Sequence, residues 1–200
     1  MPEFIAELRS RNIVTAKALE FLILTNVRTD AVLKATWDQF DLGSVVWTVP
    51  LASLKDREHR TEPFRVPLSP RAVEIVCEME KARLSRYVFP GMGGGQPLSN
   101  MALLTLLKRI NSGARKWLDK DGRSITAHGF RATFRTWAEE VATVPHAAVE
   151  QAMGHQVGGK VERAYRRTDL LEKRGELMRA WACHCERGAG GNLLAFKRPA

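Results

Sequence analysis

The chain has 200 residues, of which 44% are hydrophobic and 26% are charged, a balance that excludes an intrinsically disordered chain. Its 31 Lys and Arg exceed its 22 Asp and Glu, and the formal net charge of +9 favours a polyanionic partner. Nucleic acid is the usual partner of this kind, although an anionic membrane surface, or a charge that serves solubility alone, also fits.

The sequence also bears on the cellular compartment. No run approaches the roughly 20 apolar residues of a transmembrane helix. Residues 1–10, MPEFIAELRS, carry acids where a signal peptide carries positive charge. Three cysteines cannot all pair within one chain. We therefore predict a soluble, cytoplasmic and nucleoid-associated protein with reduced thiols.

Helical patterns dominate the chain. Residues 15–26 are apolar on nearly every side and follow a candidate cap at Thr15, which predicts a buried helix. Residues 68–84 place Ser69 at the N-cap and Pro70 in the first turn. The remaining predicted helices are 98–110 (starting at Ser99 or Asn100), 126–141 (starting at Thr126), 145–153, 160–167 and 170–186.

Strand patterns are fewer. Residues 44–50 and 63–68 are rich in β-branched and aromatic side chains, and a long polar connection separates them, which indicates a hairpin or a small antiparallel sheet. Residues 91–97 form a glycine-rich loop, and residues 187–200 form a glycine-rich tail. The sequence predicts an α+β fold, mainly α-helical, with a small antiparallel β-sheet in one domain over residues 1–186.

Two cationic side chains stand near the start of predicted helix 126–141. His128 and Arg131 are three residues apart, so they share one helix face. The free N–H groups and dipole of a first helical turn favour an anion, and an arginine there can bind phosphate through two hydrogen bonds. The alternative is a capping histidine beside a solvated arginine, and the pair by itself favours that alternative.

Four further residues are candidates for chemistry. Arg28 follows the first buried helix, where an arginine usually interacts with the helix dipole. Lys55 lies between the two strands, where a lysine is usually a solvated loop charge. His155 follows a glycine at a predicted helix end, a position that is more often structural. Tyr165, one of two tyrosines in the chain, stands among basic residues rather than in an apolar run.

Taken together, these six residues supply what phosphoryl transfer without metal needs. Cationic side chains neutralise the non-bridging oxygens, and a nucleophile and an acid for the leaving group are also present. The sequence has no carboxylate cluster suited to magnesium. The run Cys183-His184-Cys185 lacks a second pair at zinc-like spacing, and GMGGG lacks the Lys-Ser/Thr of a phosphate-binding loop. We expect neither a metal nor a nucleotide cofactor.

The order and spacing of these six residues resemble the catalytic domain of the tyrosine recombinase family, in particular the phage P4-like integrases of phages and genomic islands. The resemblance runs from about residue 4 to residue 186. The stretches that carry it are LEFLILTNVRT, WDQFDL with VWTVP, LKDREHR with VPLSP, VFPG, HGFRATFRTWAEE, MGHQVGGKVERAYRRTDLLEKR and LMRAWACHC.

The resemblance implies a role for each residue. Tyr165 would attack a DNA phosphate, forming a 3′-phosphotyrosyl link and releasing a 5′-hydroxyl. Arg28 and Arg131 would hold the phosphate, and Lys55 would be the general acid for the leaving oxygen. His128 would assist proton transfer at the nucleophile, and His155 would hydrogen-bond the phosphate.

The resemblance also implies a wider organisation, and the sequence departs from the family pattern at one position. A glutamate usually stands three residues after the first arginine, but here Ala31 occupies that position, beside Asp30, which is a candidate to orient Arg28 or cap a helix. We expect the family's N-terminal core-binding and arm-binding domains to be absent. The implied partner is double-stranded DNA at attachment sites, bound by a homotetramer, with the isolated domain as a possible monomer.

Two alternatives stay open from the sequence. One is a degenerate integrase remnant that binds DNA or a partner protomer without cleaving, which Ala31 favours and the six site residues oppose. The other keeps the chemistry but relaxes DNA, as the related type IB topoisomerases do. The motif around His128, His155 and Tyr165 favours an integrase over a topoisomerase.

Overall fold

The computed structural model describes residues 1–55, 57–114, 116–159 and 168–187. About half of this part of the chain is helical, and helices far outnumber strands, as predicted. Its α-helices are α1 (Pro2–Arg9), α2 (Val14–Thr25), α3 (Thr29–Leu33), α4 (Pro70–Lys81), α5 (Ala102–Asn111), α6 (Gly129–Val141), α7 (His146–Ala152) and α8 (Leu171–Arg187). The predicted helix 160–167 lies outside the described residues.

One small antiparallel sheet accompanies the helices. Its strands are β1 (Phe40–Asp41), β2 (Val46–Val49) and β3 (Phe64–Pro67), in the order β1-β2-β3. Trp47 of β2 pairs with Val66 of β3, and Val49 pairs with Phe64. Two 3₁₀ turns, Leu51–Ser53 and Arg57–His59, lie in the connection between β2 and β3. The predicted hairpin with a long connection is therefore confirmed.

Helix α2 lies at the centre of the core. Nine of its twelve residues are buried, because its sequence is apolar on every side and neighbouring helices can therefore pack around it. Helices α1, α4, α5 and α8 all contact it. At its C-terminal end, Trp181 of α8 donates its indole N–H to the Ile23 carbonyl at 2.7 Å. The prediction that this helix is buried is confirmed.

Two of the predicted helix starts, those of α2 and α5, were wrong. Thr15 lies inside α2, whose N-cap is the extended residue Ile13. Helix α5 begins at Ala102, rather than at Ser99 or Asn100, because the preceding residues form a turn. Ser69, in contrast, caps α4 as predicted, and its hydroxyl accepts the Ala72 N–H at 3.4 Å.

The start of α6 also differs from the prediction. The helix begins at Gly129 rather than at Thr126, because Ala127 and His128 first form a turn. The Thr126 hydroxyl nevertheless accepts the Gly129 N–H at 3.0 Å, so this side chain still satisfies a free donor at the helix start. His128 becomes the N-cap, and Arg131 lies in the first turn.

Helix α1 was not predicted, and it is anchored by an aromatic cluster. The Phe4 ring lies 5.2 Å from that of Trp117 and 5.1 Å from that of Phe130. We expect Phe4→Ala to lower the free energy of unfolding by about 3–5 kcal/mol, the usual cost of deleting a buried phenyl ring. Urea unfolding followed by tryptophan fluorescence would measure it.

The matched control for Phe4 is Met92, whose side chain is fully exposed. Met92→Ala should change the free energy of unfolding by no more than about 0.5 kcal/mol. A loss below about 1 kcal/mol for Phe4→Ala would mean that α1 contributes little to the core.

Membrane-spanning segments were sought in the described ranges. None of the helices within them is both long enough and apolar enough to cross a bilayer.

Candidate functional site

Arg28 stands at the turn between α2 and α3. Helix α2 ends at Thr25, and Asn26 then adopts a left-handed conformation with φ of 55°, its N–H bonded to the Leu22 carbonyl at 2.8 Å. The chain turns sharply there, and Arg28 becomes the extended N-cap of α3. The Arg28 side chain is half-buried. Because Arg28 lies beyond the last turn of α2, the interpretation of Arg28 as a partner of the α2 dipole is wrong.

Neither Ala31 nor Asp30 forms a described hydrogen bond or ion pair with the Arg28 side chain. Ala31 is only 3% exposed and belongs to the hydrophobic core. Asp30 pairs instead with Lys34 at 2.9 Å on the surface. Within the described residues, no hydrogen bond or ion pair links Arg28 to a carboxylate. Asp30 therefore does not take over the orienting role considered for it.

Arg131 is the central side chain of the site. It lies in the first turn of α6 and is only 5% exposed, so the interpretation of a solvated arginine is wrong. Its guanidinium donates to the carbonyl oxygens of Asn26 and Met153, the latter at 2.8 Å. Burial and the nearby charge of Arg28 lower its pKa to about 10, while Glu150 acts in the opposite direction. The bond to Asn26, two residues before Arg28, therefore sets Arg131 where the like charge of Arg28 acts on it.

His155 joins this pair through the end of α7. Gly154 has φ of 69°, its N–H bonds the Gln151 carbonyl at 2.9 Å, and the His155 N–H bonds the Glu150 carbonyl at 2.9 Å. These two bonds form a Schellman motif, in which glycine supplies the left-handed residue. The turn places His155 Nε2 3.4 Å from an Arg131 terminal nitrogen. Arg131 thus contacts both the ring of His155 and, through the Asn26 carbonyl, the turn that carries Arg28.

The connection between β2 and β3 is tied to the same turn. Arg60 donates a hydrogen bond to the Gly154 carbonyl, and its guanidinium lies 5.9 Å from the Phe64 ring centroid. Lys55 lies earlier in this connection, in an exposed turn. In the part of the chain that the structure describes, Lys55 makes no hydrogen bond or ion pair. The structure thus anchors the segment that carries Lys55 without bringing Lys55 into contact with the arginines.

Of the two remaining predicted site residues, the structure describes His128 but not Tyr165. His128 is exposed at the N-cap of α6, and its carbonyl accepts the Arg131 N–H at 3.1 Å. Tyr165 lies outside the described residues. After it, Asp169 is fixed to β3, because the Asp169 carboxylate pairs with Arg65 at 2.9 Å and with the buried Arg174 at 2.9 Å.

Three residues of this region were missed by the sequence analysis. Glu150 contacts His155, Arg60 binds the Gly154 carbonyl, and Arg174 fixes Asp169. The first carried a local signal, because a glycine at a helix end predicts a Schellman motif that brings the residues before and after it together. Arg60 depends on a contact across the fold, and Arg174 combines its local bond to Asp169 with a bond to the distant Arg65 carbonyl.

The cysteines near the C-terminal end of α8 do not form a joint site. Cys183 is exposed, whereas Cys185 is buried in the core, and burial raises the pKa of its thiol. Within the described ranges, no three His, Cys, Asp or Glu side chains are placed to share a metal ion.

Comparison with known proteins identifies the family. The model of the phage integrase family matches residues 1–171. The chain belongs to the phage integrase family. Its relatives include prophage integrase IntA of Escherichia coli K12, 28% identical over 199 residues, which covers 97% of this chain and 45% of the relative. Prophage integrase IntZ of the same strain is 30% identical over 92% of this chain and 42% of the relative. The integrase of enterobacteria phage P4 is 25% identical over 90% of this chain and 43% of the relative.

Solved structures of integrases share the fold. The Tn1549 transposon integrase, in complex with circular intermediate DNA, has a TM-score of 0.60 at 18% identity and covers 88% of this chain and 61% of that one. A lambda integrase dimer bound to a core site has a TM-score of 0.56 at 13% identity, covering 96% and 60%. The predicted tyrosine recombinase catalytic-domain fold is confirmed. This phage integrase family chain spans under half the length of the curated relatives that it matches.

Proposed function

We propose that the chain catalyses site-specific DNA recombination and integration by cleaving and rejoining DNA through a 3′-phosphotyrosyl intermediate. The observation that carries this proposal is the cluster of Arg28, Arg131 and His155. The described hydrogen bonds from Arg131 to oxygen go to neutral carbonyls, and the charge of Arg28 repels it. Two buried or half-buried arginines that bond no carboxylate among the described residues are well suited to a doubly hydrogen-bonded phosphate.

The reaction can be written with the side chains that the family resemblance selects. The Tyr165 hydroxyl oxygen attacks phosphorus while its proton passes to His128. The bond from phosphorus to the 5′-oxygen breaks, and Lys55 donates a proton to that oxygen. Arg28, Arg131 and His155 hold the non-bridging oxygens and stabilise their charge in the transition state. The new bond conserves the phosphodiester energy, so the reverse attack by a 5′-hydroxyl rejoins the strand.

The partner in this proposal is double-stranded DNA, bound mainly through its phosphates. The net charge of +9 supports such binding, and affinity should fall steeply as salt concentration rises. The related structures include a lambda integrase tetramer bound to a Holliday junction, with a TM-score of 0.55. By analogy, we propose that this chain acts as a homotetramer on two duplexes and is monomeric in isolation.

Covalent trapping tests the proposal. A pool of duplexes nicked near a randomised central sequence releases the short 5′-hydroxyl strand after cleavage, so the protein stays attached to the DNA. Wild-type protein should give adducts that survive detergent and are removed by protease, whereas Tyr165→Phe should give none. Equal, background levels of adduct from both proteins, under conditions where both bind the pool, would remove the claim of catalysis.

A second candidate function is DNA binding without cleavage. The observation that favours it is Ala31, which is buried in the core where the family usually has a glutamate, while Asp30 pairs with Lys34. Among the described residues, no carboxylate then bonds Arg28 to orient it. Salt-sensitive binding of the pool without any trapped adduct would support this candidate over the first.

A further inference from the structure

Glu150 forms the closest described contact to the ring of His155. The His155 Nδ1 lies 2.8 Å from Glu150 Oε2, while the His155 backbone N–H bonds the Glu150 carbonyl. The same five-residue turn therefore holds both the backbone and the ring of His155. Such a double attachment fixes the direction in which the other ring nitrogen points.

The contact also determines which ring nitrogen carries hydrogen. A carboxylate only accepts hydrogen bonds, so Nδ1 must be the donor. Nε2 is then unprotonated in the neutral ring and can accept from the Arg131 terminal nitrogen at 3.4 Å. The ring thus presents an acceptor to a cation and has one further protonation site, Nε2, which faces the proposed phosphate position.

The surroundings of Glu150 keep it ionised. Its side chain is only 15% exposed, and Oε1 lies 3.4 Å from Arg135 of α6 and 3.9 Å from His146 of α7. Burial alone would raise the pKa of Glu150. The hydrogen bond from His155, with the charges of His155, Arg135 and His146, outweighs burial and lowers it.

We propose that Glu150 is a positioning residue that fixes the Nδ1–H tautomer of His155 and directs Nε2 at the phosphate held by Arg131. When a phosphate oxygen arrives between Nε2 and Arg131, Nε2 takes up a proton from solvent and donates it as a hydrogen bond. The ionised carboxylate then stabilises the imidazolium. The cation that contacts the ring and opposes this charge is Arg131, on which the charge of Arg28 acts in turn. The role in DNA cleavage rests on the function proposed above, whereas the tautomer does not.

Nuclear magnetic resonance of the full chain with ¹⁵N-labelled histidine tests the tautomer directly. The His155 signals are assigned by their loss in His155→Gln. At a pH where the ring is neutral, we expect Nδ1–H in the wild type and in Glu139→Gln. Glu139 is a matched control because it pairs with Arg135 at 2.9 Å, as Glu150 does at 3.4 Å, and none of the described hydrogen bonds or ion pairs joins it to His155. In Glu150→Ala, the Nε2–H form should gain population. An Nε2–H tautomer in the wild type, or an unchanged tautomer in Glu150→Ala, overturns the proposal.

Trapping on the nicked pool tests the consequence for the reaction. Glu150→Gln keeps the shape of the side chain but removes its charge, and it should slow adduct formation by about 10–100-fold, as loss of a histidine-orienting carboxylate does elsewhere. Glu139→Gln should stay within about twofold of the wild type, as a surface substitution does.

The two tests separate the two proposals. Absence of adducts from the wild type, with the Nδ1–H tautomer present and lost in Glu150→Ala, contradicts the cleavage function and supports the positioning of His155. Normal adduct formation by Glu150→Gln contradicts the role of Glu150 in the reaction, whatever the tautomer.

Discussion

Arg131→Ala is expected to abolish covalent trapping and also to lower the free energy of unfolding by about 2–4 kcal/mol. The stability loss follows because the buried carbonyls of Asn26 and Met153 lose their donor, at about 1–3 kcal/mol for each orphaned group. Removal of the repulsion from Arg28 offsets part of that cost. Urea unfolding monitored by tryptophan fluorescence measures the first effect, and the nicked-duplex pool measures the second.

Arg131→Lys separates the two effects. Lysine keeps the charge and can still bond one carbonyl, so the stability loss should be about half that of alanine or less. It cannot offer two parallel N–H groups to a phosphate, so trapping should still slow by about 100-fold or more. Arg123→Ala is the control, since Arg123 is 72% exposed and pairs only on the surface. Trapping by Arg131→Lys at the wild-type rate would contradict the phosphate-binding role.

Arg174→Ala is expected to be the most destabilising substitution near the site, at about 3–5 kcal/mol. The side chain is 2% exposed and donates to the Asp169 carbonyl at 2.8 Å, the Arg65 carbonyl at 2.6 Å and the Asp169 carboxylate at 2.9 Å. Its guanidinium also lies 5.5 Å from the Phe64 ring. Removal of a buried, multiply bonded cation leaves acceptors unpaired and opens a cavity beside β3.

Equilibrium unfolding of Arg174→Ala and Arg179→Ala makes the comparison within one helix. Arg179 is exposed on α8, so its removal should change the free energy of unfolding by no more than about 0.5 kcal/mol. Arg174→Ala should also reduce trapping when the protein is still folded, because Asp169 stands four residues after Tyr165 and loses one of its ties to β3. Stability within about 1 kcal/mol of wild type for Arg174→Ala would contradict this account.

The sequence predicted elements whose signal is local. The apolar run of α2, the Ser69-Pro70 start of α4 and the β-branched and aromatic hairpin strands all stabilise their own structure with neighbouring residues. Helix α1 was missed because its eight residues form no stable helix alone. Its buried residues, Phe4, Ile5 and Leu8, are held by tertiary packing, which a single-sequence pattern does not contain.

The residues of the candidate site likewise divide into those with a local sequence signal and those without one. Residue types and spacing selected Arg131, but its burial depends on carbonyls at Asn26 and Met153, which are 105 and 22 residues away. The Glu150–His155 pair is local, and its signal was present in the glycine between them. Arg60 carries no local signal, because its acceptor lies 94 residues away on another element. Arg174 bonds Asp169 five residues away, but its bond to the Arg65 carbonyl spans 109 residues, and the local sequence does not contain that contact.

The double attachment of Arg131 has a consequence for how this lineage can change. The guanidinium proposed to hold the phosphate also closes the interior where α2, α6 and α7 meet. A descendant that stopped cutting DNA would still be under selection to keep Arg131, since its loss would reduce the amount of folded protein in the cell. Retention of this arginine among relatives therefore does not distinguish active enzymes from inactive descendants. Exposed positions such as Lys55 and His128, which the described structure does not need for packing, are the ones expected to drift first once activity is lost.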